Sequence, residues 1–136
     1  MPSITLFYAG VFGILMALLS IRVPIRRAKL DASWGDAGDR ILATRIRVFG
    51  NFIEYIPFMI LLMALVEIGG ICPRQLHAAA ITLLFVRLAH AFSLMEGELP
   101  LWRKIGRGVG AMGTWLVLMF LSVQGLLMAI EVGVLK

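Results

Sequence analysis

The sequence predicts an all-α integral membrane protein that folds as a bundle of four transmembrane helices. Of its 136 residues, 60% are hydrophobic and only 15% are charged, which is far more apolar than a soluble chain of this length. Two stretches of the length that a membrane span needs, Ser3–Ile21 and Gly108–Ile130, contain no charged residue. The chain is therefore predicted to form a single membrane domain that covers residues 1–136.

The first helix is predicted to run from Ile4 to Lys29. No Lys or Arg precedes Arg22, and no small-residue cleavage site leads into a polar segment, so this helix is expected to be a retained span and not a signal peptide. The stretch Asp31–Asp39 contains two glycines and several polar residues, which predicts a surface loop.

The second helix is predicted to run from Arg40 to Ile68, and its apolar stretch is interrupted by Glu54. Pro57 removes one backbone hydrogen bond within this helix, which predicts a local kink. A carboxylate at such depth normally faces the interior of a protein. The second span is therefore expected to bury something functional.

The third helix is predicted from Pro73 to Met95 and contains Arg87 within its span, while a turn is expected at residues 97–100. The fourth helix is predicted from Arg107 to Val134. Small residues at three- and four-residue spacing let helices approach closely. The start of the fourth helix is therefore predicted to be a packing surface, formed by Gly106, Gly108, Gly110 and Gly113.

The distribution of positive charge predicts the orientation in the membrane. Arg22–Arg47 holds seven Lys or Arg residues and Glu96–Arg107 holds three, so ten of the 13 lie in two connections on one side. By the positive-inside rule these connections are cytoplasmic, and both termini lie on the opposite face, in an N-out, C-out topology. The net charge of +5 is thus attributed to topology and contact with membrane lipids, and no nucleic acid partner is expected.

A polar stripe is predicted on the second helix. Four of its residues share one face because they are three or four positions apart: Arg47, Asn51, Glu54 and Phe58. A carboxylate in the membrane must be protonated, paired or bound to a ligand. In the third helix, Arg87 and His90 share a face, so the polar faces of these two helices are expected to meet. The alternative interpretation is that Glu54 and Arg87 serve only to fix the packing of the bundle.

Basic residues end the first helix and open the fourth. Arg22 and Lys29 are interpreted as anchors for lipid headgroups. One of Arg26 and Arg27 could turn inward, and the sequence does not decide which. Arg107 lies nearest to the start of the fourth helix and is best placed to face a cytoplasmic cavity. The lone Cys72 excludes an intrachain disulfide, and no metal-ligand set is identified.

The pattern R-x-x-x-N-x-x-E-x-x-P, formed by Arg47, Asn51, Glu54 and Pro57, resembles the MAPEG family of membrane-associated proteins in eicosanoid and glutathione metabolism. The resemblance extends over nearly the whole chain. The run that begins at Gly50 is most similar to the bacterial branch, which implies a location in a bacterial inner (plasma) membrane.

The resemblance implies a homotrimer that binds glutathione as a co-substrate between adjacent subunits near the cytoplasmic side. It also implies a glutathione transferase or peroxidase that acts on lipophilic electrophiles, with Arg107 as the catalytic residue that stabilises the glutathione thiolate. The residues implied to bind glutathione, by position in the family's pattern, are Arg26 or Arg27, Arg47, Asn51, Glu54, Arg87 and His90.

Four departures from the family's pattern leave other functions open. Some members have an arginine, a tyrosine, a serine and a tyrosine where this sequence has Gly50, Leu94, Gly108 and Ala111, so binding is better supported than catalysis. A second hypothesis is therefore a non-catalytic membrane protein that binds a lipid, another thiol or an anionic metabolite. A small transporter ranks last, because no polar path continues through Leu61–Val66.

Overall fold

The computed structural model describes residues 1–93 and 101–133. Within these residues the chain forms four helices and no strands, and each helix is long and apolar enough to cross a membrane. The predicted four-helix membrane fold is confirmed. The helices are α1 (Ser3–Leu30), α2 (Arg40–Ile68), α3 (Pro73–Ser93) and α4 (Leu101–Glu131).

The helix bounds agree with the prediction except at the two ends of α4. The predicted bounds of α2 are correct, and α1 is one residue longer at each end. The fourth helix begins at Leu101 instead of Arg107, because residues 101–105 are ordinary helix formers that extend it ahead of the first glycine. The fourth helix ends at Glu131 and not at the predicted Val134, because the chain turns at Val132 and Gly133, where Gly133 has a φ of 92°. The turn predicted at residues 97–100 and the predicted end of the third helix at Met95 lie outside the described residues.

The loop between α1 and α2 is fixed at both of its ends. Asp31 adopts a left-handed conformation, with φ of 49°, that ends α1. Asp39 caps α2, and its carboxylate accepts a hydrogen bond of 2.6 Å from the Leu42 N–H. Arg26 donates two hydrogen bonds to the same carboxylate, of 3.1 Å and 2.7 Å. The hydrogen bond from Arg26, together with that from Leu42, holds the pKa of Asp39 below its usual value.

The opposite end of the bundle is held by a carboxylate at the end of α2. Glu67 accepts hydrogen bonds from the backbone N–H groups of Ile4, at 2.9 Å, and Thr5, at 2.7 Å. These amides belong to the first turn of α1, where the backbone N–H groups have no acceptor within the helix. The same turn is the positive end of the helix dipole, so it favours a carboxylate. Nearby, the Tyr8 hydroxyl and His77 Nδ1 are hydrogen-bonded at 3.1 Å. These contacts tie α1 to both α2 and α3.

The core lies between two closely packed helix pairs, α1 with α2 and α3 with α4. The rings of Phe12 and Phe52 meet across the first pair, with centroids 6.4 Å apart. Met59 and Met63 are fully buried further along α2. The unbranched methionine side chain fills irregular space well, and α2, like α3, contacts all three other helices.

Two glycines bring α4 close to α3. A Cβ on Gly110 would lie 2.7 Å from the Cβ of His90, and one on Gly113 would lie 2.5 Å from a methyl carbon of Val86. Neither position can hold a larger residue without a shift of the helices. A Cβ on Gly108 would have no neighbour within 4 Å, so the predicted packing surface includes Gly110 and Gly113 but not Gly108.

All four helices expose large apolar side chains on the outside of the bundle. Examples are Phe7, Leu61, Phe85 and Leu116, each at least half exposed. In water such a surface would be costly, but it matches the hydrocarbon of a membrane or the surface of another subunit. The structure is therefore that of a membrane bundle with an apolar perimeter.

Candidate ligand-binding site on the second and third helices

Arg87 is the buried polar centre of the bundle. Its side chain is only 3% exposed, and it donates hydrogen bonds of 2.9 Å to the Asn51 side-chain oxygen and 2.8 Å to the Asn51 carbonyl. Its guanidinium carbon lies 5.5 Å from the ring centroid of Phe52 and 5.9 Å from that of Tyr55. Two acceptors and two aromatic faces therefore stabilise a cation within the membrane span.

The hydrogen bond from Arg87 also fixes the orientation of the Asn51 side chain. Because the amide oxygen of Asn51 accepts from Arg87, its NH₂ group is turned away from the guanidinium and remains a donor. Asn51 is half-buried, at the boundary between the core and the outer face of α2. The pair therefore presents a fixed donor to a group bound on that face.

The other charged residues of the stripe lie on the outer surface of the chain. Arg47 and Glu54 are both exposed, and so is Phe58 on the same face of α2. Glu54 lies within electrostatic range of Arg87, but within the described residues no ion pair joins it to Arg87 or to Arg47. The structure thus brings Asn51 and Arg87 together and leaves the two other charges uncovered.

His90 lies one turn after Arg87 on α3, half-buried where Gly110 packs against it. It therefore lies at the contact between α3 and α4. Arg107 belongs to the second turn of α4, and its side chain lies outside the described part of the structure. Its backbone is on the same helix face as Ala111 and Trp115, at four-residue spacing.

The two candidate arginines of α1 contact the loop that follows it. Arg26 is held by its two hydrogen bonds to Asp39. Arg27 donates a long hydrogen bond of 3.4 Å to the Gly35 carbonyl. Beside this loop is a cavity of about 360 Å³ lined by Gly35, Asp36, Ala43, Ile46 and Arg47. Arg47 therefore lines the cavity at the basic end of the bundle, while Arg26 has a structural role in the loop.

A hydrogen bond between α2 and α4 forms a contact that the sequence did not predict. The indole N–H of Trp115 donates to the Tyr55 hydroxyl at 3.4 Å. Tyr55 directly follows Glu54, and its ring also faces Arg87. The only signal in the sequence was the position of Tyr55 one turn after Asn51, which places its ring at the edge of the polar stripe.

Beyond this pair, an apolar groove runs between α2 and α4. Its volume is about 430 Å³. The residues that line it are Phe58, Leu62, Leu65, Val66, Gly69, Ser122, Gly125, Leu126 and Met128. Phe58 is the last residue of the polar stripe, so the groove continues the same face of α2 from polar to apolar surroundings.

Two other carboxylates with structural roles were also missed. Asp39 is predicted only as part of the surface loop and Glu67 only as part of the second helix, yet each accepts hydrogen bonds from open backbone N–H groups at a helix start. Asp39, directly before a predicted helix, was recognisable as a cap. The contact of Glu67 with α1 joins residues more than 60 positions apart, and no local pattern predicts it. Within residues 1–93 and 101–133, no group of three or more His, Cys, Asp or Glu residues is placed to hold a metal ion.

Four apolar helices around a buried arginine define the chain as a polytopic membrane protein with a polar centre inside the bilayer. The chain belongs to the MAPEG family, whose model matches residues 5–127.

Comparison with known proteins agrees with this assignment. Inner membrane protein YecN of Escherichia coli strain K12 is 31% identical over 123 residues, which cover 90% of each chain. The protein of the same name from Escherichia coli O6:H1 matches equally well. No solved structure matches the chain. The protein is therefore a MAPEG membrane protein that is similar to inner membrane proteins of Escherichia coli.

Proposed function

We propose that the protein binds glutathione at the subunit interfaces of a homotrimer, and that it uses glutathione as a co-substrate in a transferase or peroxidase reaction with lipophilic electrophiles. The observation that carries this proposal is the exposed pair of opposite charges, Arg47 and Glu54, on a membrane-spanning helix. The membership of the MAPEG family supports the same choice of ligand.

The cost of exposed charge supports an interface at this face of α2. A charged side chain at the centre of a helix in lipid costs about 2.5–3.5 kcal/mol on insertion scales. Neither Arg47 nor Glu54 is ion-paired within the described part of the chain. A second copy of the chain that covers this face, with a ligand that carries both signs of charge, would remove most of that cost.

The chemistry of the stripe fits the two ends of glutathione. A guanidinium such as that of Arg47 binds a carboxylate with two hydrogen bonds. Glu54 lies about 10 Å further along the helix axis, where it can accept from the ammonium group. Asn51 lies between them with its NH₂ group held as a donor by Arg87. Arg107 supplies the positive charge that would stabilise the thiolate.

Calorimetry with glutathione on the detergent-solubilised protein tests binding. We expect saturable binding, and Glu54→Gln should weaken it about tenfold or more, because a hydrogen bond to a charged group contributes about 1.5–3 kcal/mol. Glu131→Gln is the matched control, since Glu131 is an exposed carboxylate at the last residue of α4, away from the polar stripe of α2. The absence of saturable binding in the wild type would refute the proposal.

A conjugation assay tests catalysis. Arg107→Ala should lower kcat/KM about 100-fold or more, because it removes the charge that stabilises the thiolate. Arg74→Ala is the control, since Arg74 is exposed at the start of α3 on the opposite side of the bundle. Equal activity of Arg107→Ala and the wild type would exclude this role.

One observation favours a second candidate, a non-catalytic protein that binds a lipid, another thiol or an anionic metabolite. Gly108 and Ala111, on the first turns of α4, carry no hydroxyl group near the proposed reaction centre. Mass spectrometry of ligands that co-purify with the protein separates the two candidates. Glutathione as the sole bound metabolite would contradict the second, and a bound lipid or other anion without glutathione would support it.

A further inference from the structure

We propose that a groove between α3 and α4 binds a glycerophospholipid of the surrounding bilayer, with one acyl chain in the groove and the phosphate held by Arg74 and Gln75 at the start of α3. No residue of α2 lines this groove, so the proposal does not depend on the proposed function. It assigns a lipid ligand to a part of the bundle that glutathione binding does not use.

The groove is an apolar hollow on the outside of the bundle, with a volume of about 370 Å³. Two small side chains of α3, Ala78 and Ala79, give it depth, because the larger side chains of Leu116 and Phe120 line its α4 side. Ala79 is buried at its base, whereas Ala78 is exposed. Apolar hollows do not hold water well, and an unfilled one loses dispersion contacts. An acyl chain is therefore the expected occupant.

The groove fits within the depth of one leaflet of the bilayer. Its α3 side extends from Gln75 to Thr82, which is a rise of about 10 Å. The hydrocarbon core of a bilayer is about 30 Å thick, so one leaflet supplies about 15 Å. Gln75 belongs to the first turn of α3. An acyl chain that enters beside Gln75 therefore runs along the groove and ends before the bilayer centre.

Arg74 supplies a positive charge at the mouth of the groove. It precedes Ala78 and Thr82 by four and eight positions, so these three residues lie along one face of α3. Its side chain is exposed, and within the described parts of the chain no carboxylate forms an ion pair with it. The carboxylate of Glu67 accepts instead from the first turn of α1. The charge of Arg74 therefore remains available to an anionic group of a ligand.

The groups at the mouth of the groove fit a phosphate. A guanidinium binds a phosphate with two parallel hydrogen bonds, and the long stem of Arg74 can lie on apolar surface while its charged end reaches the headgroup. The amide of Gln75 lines the groove and can donate to a second phosphate or ester oxygen. The start of α3 is also the positive end of its helix dipole, which favours an anion. A phosphate joined to an acyl chain uses both the charge and the groove.

Native mass spectrometry of the detergent-solubilised protein with added phosphatidylglycerol tests the headgroup contact. We expect saturable binding, and Arg74→Gln should weaken it about tenfold because it removes the charged partner of the phosphate. Arg40→Gln is the matched control, since it removes an exposed cation at the start of α2, at the opposite end of the bundle. Diacylglycerol with the same two chains lacks the phosphate, so it should bind more weakly and equally well to Arg74→Gln and the wild type.

A second variant tests the place of the acyl chain. Ala78→Leu puts a larger side chain into the groove from an exposed position, so the fold should tolerate it. Both lipids should then bind about tenfold more weakly. Ala17→Leu is the matched control, because Ala17 is an exposed alanine on α1, away from the groove. The thermal midpoint by circular dichroism shows that each variant is folded.

Three results would overturn the proposal. Equal effects of Arg74→Gln and Arg40→Gln would show a general attraction to positive charge, and unchanged lipid binding in Ala78→Leu would place the acyl chain elsewhere. The same spectra give the mass of the assembly, and a smaller assembly in Ala78→Leu would show that a second copy of the chain covers the groove instead of a lipid. Arg74 lies at the opposite end of the bundle from Arg107, so each of these results is independent of glutathione binding.

Discussion

At the scale of single residues, the contact between Arg87 and Asn51 explains how an arginine is tolerated inside the bundle. An unpaired buried charge is strongly destabilising, and the structure supplies two oxygen acceptors from one residue together with two aromatic rings. The same contact fixes the Asn51 amide. One interaction therefore stabilises the fold and prepares a donor for a ligand.

Replacement of Asn51 tests this dual role. Asn51→Leu removes the side-chain acceptor and leaves only the backbone carbonyl for the guanidinium, so the protein should lose about 2–3 kcal/mol of stability. The thermal midpoint in detergent, followed by circular dichroism, measures the loss. Asn51→Asp keeps an acceptor in the same place and should remain close to the wild type. A Leu variant as stable as the wild type would show that Arg87 does not depend on this side chain.

At the scale of elements, the start of α2 combines a helix cap with an ion pair to α1. The carboxylate of Asp39 accepts both from Leu42 N–H and from Arg26. Its pKa is lowered in the folded protein, so the contribution of the charged form to stability is present above the unfolded pKa, which is near 4. That contribution is lost as the pH falls through the lower, folded pKa.

Asp39→Asn separates the two roles because Asn also caps helices well but cannot pair with Arg26. We expect the variant to have a lower thermal midpoint than the wild type at neutral pH, and the difference to shrink as the pH falls below about 4. Thermal unfolding measured in parallel across this range tests the expectation, since other carboxylates titrate equally in both proteins. A difference that is constant with pH would assign the effect to packing and not to the charge.

The same scale shows how far the sequence predicts the structure. The bounds of α2 were predictable because Asp39 and Gly69 are strong local signals at its ends. The start of α4 was not predictable in the same way. The helix formers at residues 101–105 precede the glycine-rich segment, and no local signal separates the two, so the helix begins earlier than Arg107. The spacing of the stripe predicts that Arg47 and Glu54 share one face of α2. It does not predict whether that face points to the core or to the outside of the bundle. In a membrane, the lipid-facing and protein-facing sides of a helix are both apolar, so the hydrophobic pattern does not distinguish them. Which side faces the core depends on contacts between distant parts of the chain.

At the scale of the whole molecule, the apolar perimeter and the exposed charges of α2 point to different surroundings. The perimeter suits lipid, whereas the charged face requires a cover of opposite or mixed charge. A single chain provides no such cover within its described residues. The four-helix bundle was predictable from composition and hydropathy, but the assembly that would complete its polar face depends on a surface that the sequence alone does not locate.

The orientation of the molecule can be tested with its only cysteine. Cys72 is exposed in the turn between α2 and α3, which lies outside the cytoplasm if the basic loops are cytoplasmic. A membrane-impermeant maleimide should therefore label the wild type in intact spheroplasts. Asp36→Cys combined with Cys72→Ser moves the thiol to the basic loop and should be labelled only after the membrane is opened. The reverse pattern would invert the topology.

The contact of Glu67 with the first turn of α1 has a consequence for biosynthesis. The amides of Ile4 and Thr5 receive their acceptor from a residue more than 60 positions later, so the first span emerges from the ribosome before its own cap exists. Until α2 has been inserted, these amides must remain hydrated at the membrane surface. The two spans can then be expected to mature as one hairpin, with the second helix completing the first.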